Sequence, residues 1–369
     1  MKITIVMGFF LPMPPVAGGA IEKSWHRLAQ EISRRDHEVT IISRRWPDYP
    51  TKEIIAGVRH LRVSGFNHRR SLWLNLLCDF IWSIRVFRKL PPADIVALNT
   101  VSLACWLGRL RPRTGKVIAM PGRMPKGQFK LYRNLARILV PSAPVRDAVI
   151  AERSSWAPLI HTMGYPIDFQ SLARPVSSAD THAEVTILYV GRINREKGVA
   201  LLIEACRRLE NLPLPQWKTI ICGPADVARG GSGDEYLSEL KARAPTSVVF
   251  REALFAEPDL HELYKNSDIF CYPSLADRGE TFGVSVAEAM AAGCVPVTSN
   301  LDCFQDFITA GKNALVFDAQ AEDSIAQLTE HLANLIRDPK LRQRLATEAR
   351  DAVRPYDYEN YTTRLLEDF

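Results

Sequence analysis

The sequence predicts an α/β protein made of two doubly wound domains with a cleft between them. Three observations carry that expectation. The chain has 369 residues, enough for two domains of roughly 150–200 residues each. Short β-branched runs alternate with amphipathic segments along its length, the pattern of parallel βαβ units. A stretch rich in turn residues, Gly164–Asp180, reads as a linker and divides the alternation into two series. The composition agrees: 47% hydrophobic and 24% charged residues are globular values, which excludes a disordered, collagenous or disulfide-scaffold chain.

In the first series, strands are expected at Ile3–Met7, Val39–Ser43, Asp94–Leu98, Lys116–Met120 and Ile138–Pro141. Between the first two, Ile21, Trp25, Leu28 and Ile32 form one apolar stripe of a helix over Ala20–Arg35. The uncharged run Ile3–Ile21 has the length and the preceding Lys2 of a signal peptide or anchor. Pro12, Pro14, Pro15, Gly18 and Gly19 break any continuous helix through it, so it reads as a buried strand and a glycine-rich loop. Seven cysteines without a C-x-x-C pair suit a reducing compartment. A soluble, cytoplasmic protein is expected.

The second series places strands at Val185–Val190, Trp217–Cys222, Ser247–Phe250, Ile269–Tyr272, Val295–Thr298 and Leu315–Phe317. Helices fit at Val199–Leu209, Glu235–Arg243, Leu260–Asn266, Val284–Ala292 and Ala321–Leu335. The tail Arg354–Phe369 either packs on its own domain or crosses back to the first; its residues leave both options open.

Charge divides the chain as well. Residues 1–175 hold 27 Lys+Arg against 11 Asp+Glu, and residues 176–369 hold 20 against 30. A basic first half facing an anionic partner follows. Nucleic acid is not expected, because the aromatic and glycine spacings of its binding modules are missing. An anionic membrane surface fits better. Over 69–89, Trp73, Leu76, Leu77, Phe80, Ile84 and Phe87 recur at helical spacing between Arg69, Arg70, Arg85, Arg88 and Lys89. That pattern suits an interfacial helix, and equally a core helix with solvated basic ends.

Three segments bear chemistry. The first is the loop and helix start Pro273-SLADRGETFGVSVAEAMAAG-Cys294. Free N–H groups around Phe282, Gly283, Val284 and Ser285 would point out of the helix start toward an anion, and Gly283 lets a phosphate approach the backbone. Glu280 and Glu288 stand eight residues apart across this junction and can reach opposite ends of one bound molecule, each accepting hydroxyl hydrogen bonds. Ser285-Val-Ala-Glu288 also spells a capping box. The second is Val190-GRINREKG-Val199, whose Arg192 and Lys197 are two fixed cations suited to a diphosphate, or alternatively a charged surface turn. The third is the pair Gly18 and Gly19 after the first strand, which exposes backbone amides to a ligand or simply makes a tight turn.

Together these segments resemble the retaining glycosyltransferases of the GT-B fold, family 4, the group 1 type. The resemblance rests on the glycine pair, the V-G-R-x4-K-G turn and the E-T-F-G segment with its E-x7-E spacing. Val140-P-Ser142 adds to it, with Met163-GYPI-Asp168 and Ser267-DIFCYP-Ser274, so it spans essentially the full chain. It implies a Rossmann-like acceptor-side domain over 1–170, rejoined by the C-terminal helix 355–369, and a nucleotide-sugar domain over 176–354. Arg192 and Lys197 would hold the diphosphate and assist its departure, Glu280 would contact the donor sugar, and Glu288 the ribose hydroxyls. Thr281, Phe282, Gly283 and Val284 would add sugar and phosphate contacts, Gly18 and Gly19 would line the donor site, and the backbone near Leu254 would meet the base. Glu280, Arg192 and Lys197 are the expected catalytic set.

One departure concerns the acceptor side. Many family members carry a histidine at the end of the fourth strand, where this chain has Met120 and Pro121; Asn99, Met120 or Arg123 would take its place. No Asp-x-Asp occurs and the eight histidines lack metal-ligand spacing, so neither a metal nor a cofactor is expected. The implied reaction moves a hexose from a UDP-hexose, UDP-glucose first, to a glycan or lipid-linked hydroxyl in polysaccharide or glycolipid assembly. GDP-mannose stays open as donor. The competing readings are a non-catalytic sugar-nucleotide-binding protein and a nucleotide-dependent oxidoreductase. The latter lacks G-x-G-x-x-G, and Ser43 ends the second strand where an acid would be needed.

Overall fold

The computed structural model of the protein describes residues 1–16, 19–69, 71–110, 114–173, 184–277 and 279–369. The chain forms two compact units, Met1–Pro166 with Tyr358–Phe369, and Ile167–Asp357. The first break falls at Pro166 rather than 170, because the Ile167 N–H already donates to Tyr356 O within the second unit at 2.8 Å. The segment expected as a linker is ordered at its start, where Phe169–Leu172 forms a short helix; residues 174–180 lie outside the described residues.

In the first unit the elements run β1 (Lys2–Val6), α1 (Ala20–Arg34), β2 (Glu38–Arg44), β3 (Lys52–Ile55), β4 (Val58–Val63), α2 (Leu72–Lys89), β5 (Ile95–Leu98), α3 (Leu103–Leu110), β6 (Lys116–Ala119), β7 (Arg137–Val140), α4 (Ala143–Glu152) and β8 (Ile160–Thr162). They build an eight-stranded sheet in the order β3-β4-β2-β1-β5-β6-β7-β8, in which β3 runs antiparallel to β4. Helices cover both faces, so the central strands are apolar on both. Ile3, Ile5 and Met7 share a core with Trp25, Leu28 and Ile32 of α1. Val6, Val96 and Leu98 share the opposite core with Trp82 and Val86 of α2.

Strands β3, β4 and β8 have no counterpart in the sequence expectation. β4 reads as polar, yet its Arg62 side chain is fully buried and donates to Met13 O at 2.8 Å and Pro50 O at 2.7 Å. Those carbonyls and the Glu53 carboxylate of β3 satisfy the buried guanidinium, so a charged residue can sit inside the strand. The core-helix reading of the stripe over 69–89 needs correction. The buried positions of α2 are Asp79, Trp82, Ser83 and Val86, while Trp73, Leu77 and Phe80 are exposed. Asp79 is tolerated inside because its carboxylate accepts the Ser102 N–H at 2.6 Å, although burial still raises its pKa.

The C-terminal helix, Tyr358–Asp368, settles the question of the tail. Tyr361, Leu365 and Phe369 complete the α1-side core of the first unit, and Lys116 Nζ donates to Phe369 O at 2.8 Å.

The second unit continues with α5 (Phe169–Leu172), β9 (Val185–Val190), α6 (Val199–Leu209), β10 (Trp217–Cys222), α7 (Asp234–Arg243), β11 (Val248–Arg251), α8 (Glu257–Lys265), β12 (Ile269–Tyr272), α9 (Val284–Ala291), β13 (Val295–Ser299), β14 (Leu315–Phe317), α10 (Ser324–Arg337) and α11 (Pro339–Val353). Its parallel sheet has the order β11-β10-β9-β12-β13-β14. From β9 the winding proceeds in both directions, so the loops after β9 and β12 leave the carboxyl edge side by side. That is a topological switch point, where wound sheets take ligands. The first unit repeats the arrangement between β1 and β5.

Candidate active site

At the switch point of the second unit, β9 delivers the turn 191–198. The Asn194 side chain accepts the Lys197 N–H at 3.1 Å, capping the single turn Arg195–Lys197, and donates to Gly230 O at 3.1 Å. Gly198 then adopts φ +67 to enter α6. A side chain at Gly198 would run into the Pro273 carbonyl, so the turn lies directly against the loop that follows β12. The Leu275 N–H closes the contact on Glu196 O at 2.7 Å.

These constraints bring Lys197 and Glu280 together. Lys197 Nζ lies 2.6 Å from Glu280 Oε2, with side-chain exposures of 5% and 14%. The same carboxylate oxygen accepts the Tyr272 hydroxyl at 2.9 Å, and Nζ lies 5.5 Å from the Tyr272 ring centroid. Burial, reinforced by the Glu280 charge, pushes the Tyr272 pKa well up, so the phenol stays protonated and keeps donating. On the neighbouring strand Tyr189 stacks on Tyr272 at 5.8 Å, and its hydroxyl donates to Arg192 O at 2.8 Å. Arg192 itself is 44% exposed, with Nη2 3.4 Å from Glu196 Oε1.

The stacked tyrosines are functional candidates that the sequence reading missed. Strand-end aromatics normally read as core, and only their hydroxyls, aimed at the turn and at Glu280, distinguish them. Tyr272→Phe is expected to leave the unit folded and to lower kcat/KM for donor turnover about tenfold, since a hydrogen bond to a charged group contributes about 1.5–3 kcal/mol. Steady-state kinetics beside a thermal melt checks this.

Glu288 sits on α9, half-buried, and accepts the Tyr264 hydroxyl at 3.1 Å. The capping-box alternative fails, because the N-cap of α9 is Gly283 at φ +91, not Ser285. A side chain at Gly283 would meet Phe304 Cε1 at 2.5 Å. Helix geometry leaves the first N–H groups of α9, at Val284 and Ser285, without intrahelical acceptors. Phe282 contributes backbone only, since its ring is buried between Phe307 and Tyr356. Thr281 is half-buried in the same loop, and Leu254 half-buried three residues beyond β11.

In the first unit Gly19 is the N-cap of α1 at φ +99, and Gly18 lies outside the described residues. Asn99 accepts the Trp25 indole N–H at 3.1 Å and lines an apolar recess with Ile21, Met120, Tyr165 and Tyr361. Met120 fills the place of the expected histidine with an uncharged side chain, and Arg123 is exposed. The same unit buries a carboxylate, Glu22, 8% exposed in the first turn of α1. Burial raises its pKa against the pull of its own backbone N–H and of Arg123. An acid in the first turn of a helix is favoured there by the helix dipole, the one signal the sequence offers for it. Among the described residues no group of three or more His, Cys, Asp or Glu is placed to hold a metal ion.

Residues 175–352 match the model of the family described as glycosyl transferases group 1. The chain is a glycosyltransferase with the GT-B fold, and its residues 175–352 are of the group 1 type. The phosphatidyl-myo-inositol mannosyltransferase of Mycobacterium leprae is 24% identical to this glycosyltransferase over 397 residues, covering 99% of this chain and 96% of that one. Sucrose-phosphate synthase from Thermosynechococcus elongatus superposes with a TM-score of 0.77 at 19% identity, covering 99% of this chain and 97% of that one. Anabaena HepE, solved in complex with UDP and glucose, gives 0.70 at 17% identity, covering 100% and 98%. At such identities the two solved structures speak for the GT-B fold of this glycosyltransferase alone.

Proposed function

We propose that this glycosyltransferase moves a hexose from a UDP-hexose to a hydroxyl of a lipid-linked glycan acceptor, with retention at the anomeric carbon and without a metal ion. The observation that carries the reading is the buried Lys197–Glu280 pair, at 2.6 Å, beside the start of α9. Lys197 and Arg192 meet the diphosphate, and the amides at Gly283 and Val284 extend the same positive surface. Glu280 takes the sugar hydroxyls, Glu288 those of the ribose. Thr281 and the Phe282 backbone border the donor, and the Leu254 backbone faces the base. The anomeric carbon–phosphate oxygen bond breaks, the acceptor oxygen bonds to the same face, and its proton passes to the departing diphosphate oxygen. Fixed cations supply the charge stabilisation that a metal supplies elsewhere.

The name of the M. leprae relative, a mannosyltransferase acting on a phosphatidyl-inositol, supports a lipid-linked acceptor and makes GDP-mannose the rival donor. The test incubates the enzyme in EDTA with UDP-glucose or GDP-mannose and a lipid extract, and assigns the anomeric configuration of the product by NMR. Nucleotide release with a retained linkage from UDP-glucose is expected. Turnover of GDP-mannose alone replaces the donor, and an inverted linkage overturns the mechanism.

A further inference from the structure

We propose that the N-terminal half of α2 docks this enzyme on an anionic lipid bilayer. The proposal deepens the preceding reading by naming the surface on which a lipid-linked acceptor is met, and it rests on that reading for the acceptor only. Unlike an ordinary surface helix, α2 carries apolar side chains on its outward face as well as its inward one. It buries Trp82 and Val86 together with Asp79 and Ser83 on one face, and on the other leaves Trp73 80%, Leu72 58%, Leu77 54%, Leu74 51% and Phe80 48% exposed. Trp73, Leu77 and Phe80 are spaced i, i+4, i+7, a single outward stripe that half-buried Ile84 continues. Exposed apolar surface of this continuity marks an interaction site.

The surroundings of the stripe specify the occupant. Asn75 grips the backbone of Arg69 at both ends, accepting its N–H at 2.8 Å and donating to its carbonyl at 2.7 Å. That fixes a cation beside the first turn, and Arg88 and Lys89 stand exposed at the far end of the helix. Between Glu53 and Asp94 the sole acid in the sequence is Asp79, and it is buried. The first unit as a whole holds 27 Lys+Arg against 13 Asp+Glu. An apolar stripe carrying a tryptophan inside a basic frame matches the acyl–headgroup boundary of an anionic leaflet. A second copy of the chain matches it poorly, because a two-fold interface would set these cations against themselves with no exposed carboxylate in the segment. Among the described residues no helix is long and apolar enough to cross a membrane, so the contact is interfacial.

Co-sedimentation with mixed phosphatidylcholine–phosphatidylglycerol vesicles tests this on the full chain. The wild type is expected to bind at low salt and to release as salt rises, with little binding to pure phosphatidylcholine. The variant Trp73→Ser, Leu77→Ser, Phe80→Ser is expected to partition at least about tenfold less, with an unchanged melting temperature and unchanged UDP or GDP binding. Arg88→Gln with Lys89→Gln should weaken binding and flatten its salt dependence. Absence of wild-type binding to the anionic vesicles, or equal binding by the serine variant, overturns the proposal. So does a dimer in sedimentation velocity that the serine variant dissociates, which would make the stripe a protein interface. Vesicle binding without nucleotide binding would sustain the docking surface while removing the donor site.

Discussion

Lys197→Ala is expected to lower kcat/KM for donor turnover by about 10²–10³-fold, the effect of removing one fixed donor from a developing anion, about 2–4 kcal/mol. The size follows from burial. With 5% side-chain exposure, Nζ acts where water screens little, and its position is fixed three ways, by Asn194, Gly198 and Glu280. Lys197→Met keeps most of the volume and should lose nearly as much, which separates charge from packing. Arg192→Ala should cost less, about tenfold, because a guanidinium 44% exposed is screened by solvent. Glu280→Gln tests the partner: it keeps a hydrogen-bond acceptor but leaves the ammonium without its counter-charge. Steady-state kinetics on the four variants, at one pH and in EDTA, gives the order. A Lys197→Ala enzyme with wild-type kcat/KM would remove the lysine from the chemistry.

Gly198→Ala is expected to damage both the stability of the second unit and its candidate site. The left-handed φ of +67 costs a side chain about 1–2 kcal/mol. The added carbon would also press into the Pro273 carbonyl, and backbone cannot rotate away as a side chain can. About 3 kcal/mol or more in total is expected, a fall in melting temperature of roughly 6–12 °C for a unit of this size. Because the displaced loop carries Glu280, activity should fall further than stability explains. Gly311→Ala is the control. It has φ +74 with open space around the position, so it should show the conformational cost alone, about 1–2 kcal/mol. Equal melting temperatures for the two variants would contradict the close approach of turn and loop.

The wound architecture was legible because buried parallel strands are apolar on both faces. Val185–Val190 and Ile269–Tyr272 stand out from sequence for that reason, and both match the observed strands. Strand β4 was not legible, since its buried Arg62 is satisfied by carbonyls from remote loops that no local pattern announces. The same limit applied at the site. Gly198 and Gly283 could be singled out as glycines, but the close approach to Pro273 and to Phe304 depends on how three loops converge. The tyrosines supporting Arg192 and Glu280 read as core residues until their hydroxyls were placed. On α2 the periodicity was legible, but the direction the stripe faces was left open. Spacing places Trp73, Leu77 and Phe80 on one face, whereas only the depth of Asp79 and Trp82 shows which face points inward.

The proposed sugar-nucleotide site of the second unit is built on Lys197 and needs no metal ion. Calorimetric titration of UDP and of GDP in EDTA, into wild type and Lys197→Met, tests it most directly. Micromolar binding of one nucleotide to the wild type is expected, with binding at least about tenfold weaker to the variant. Binding of neither nucleotide, or binding that appears only when a divalent cation is restored, would contradict it.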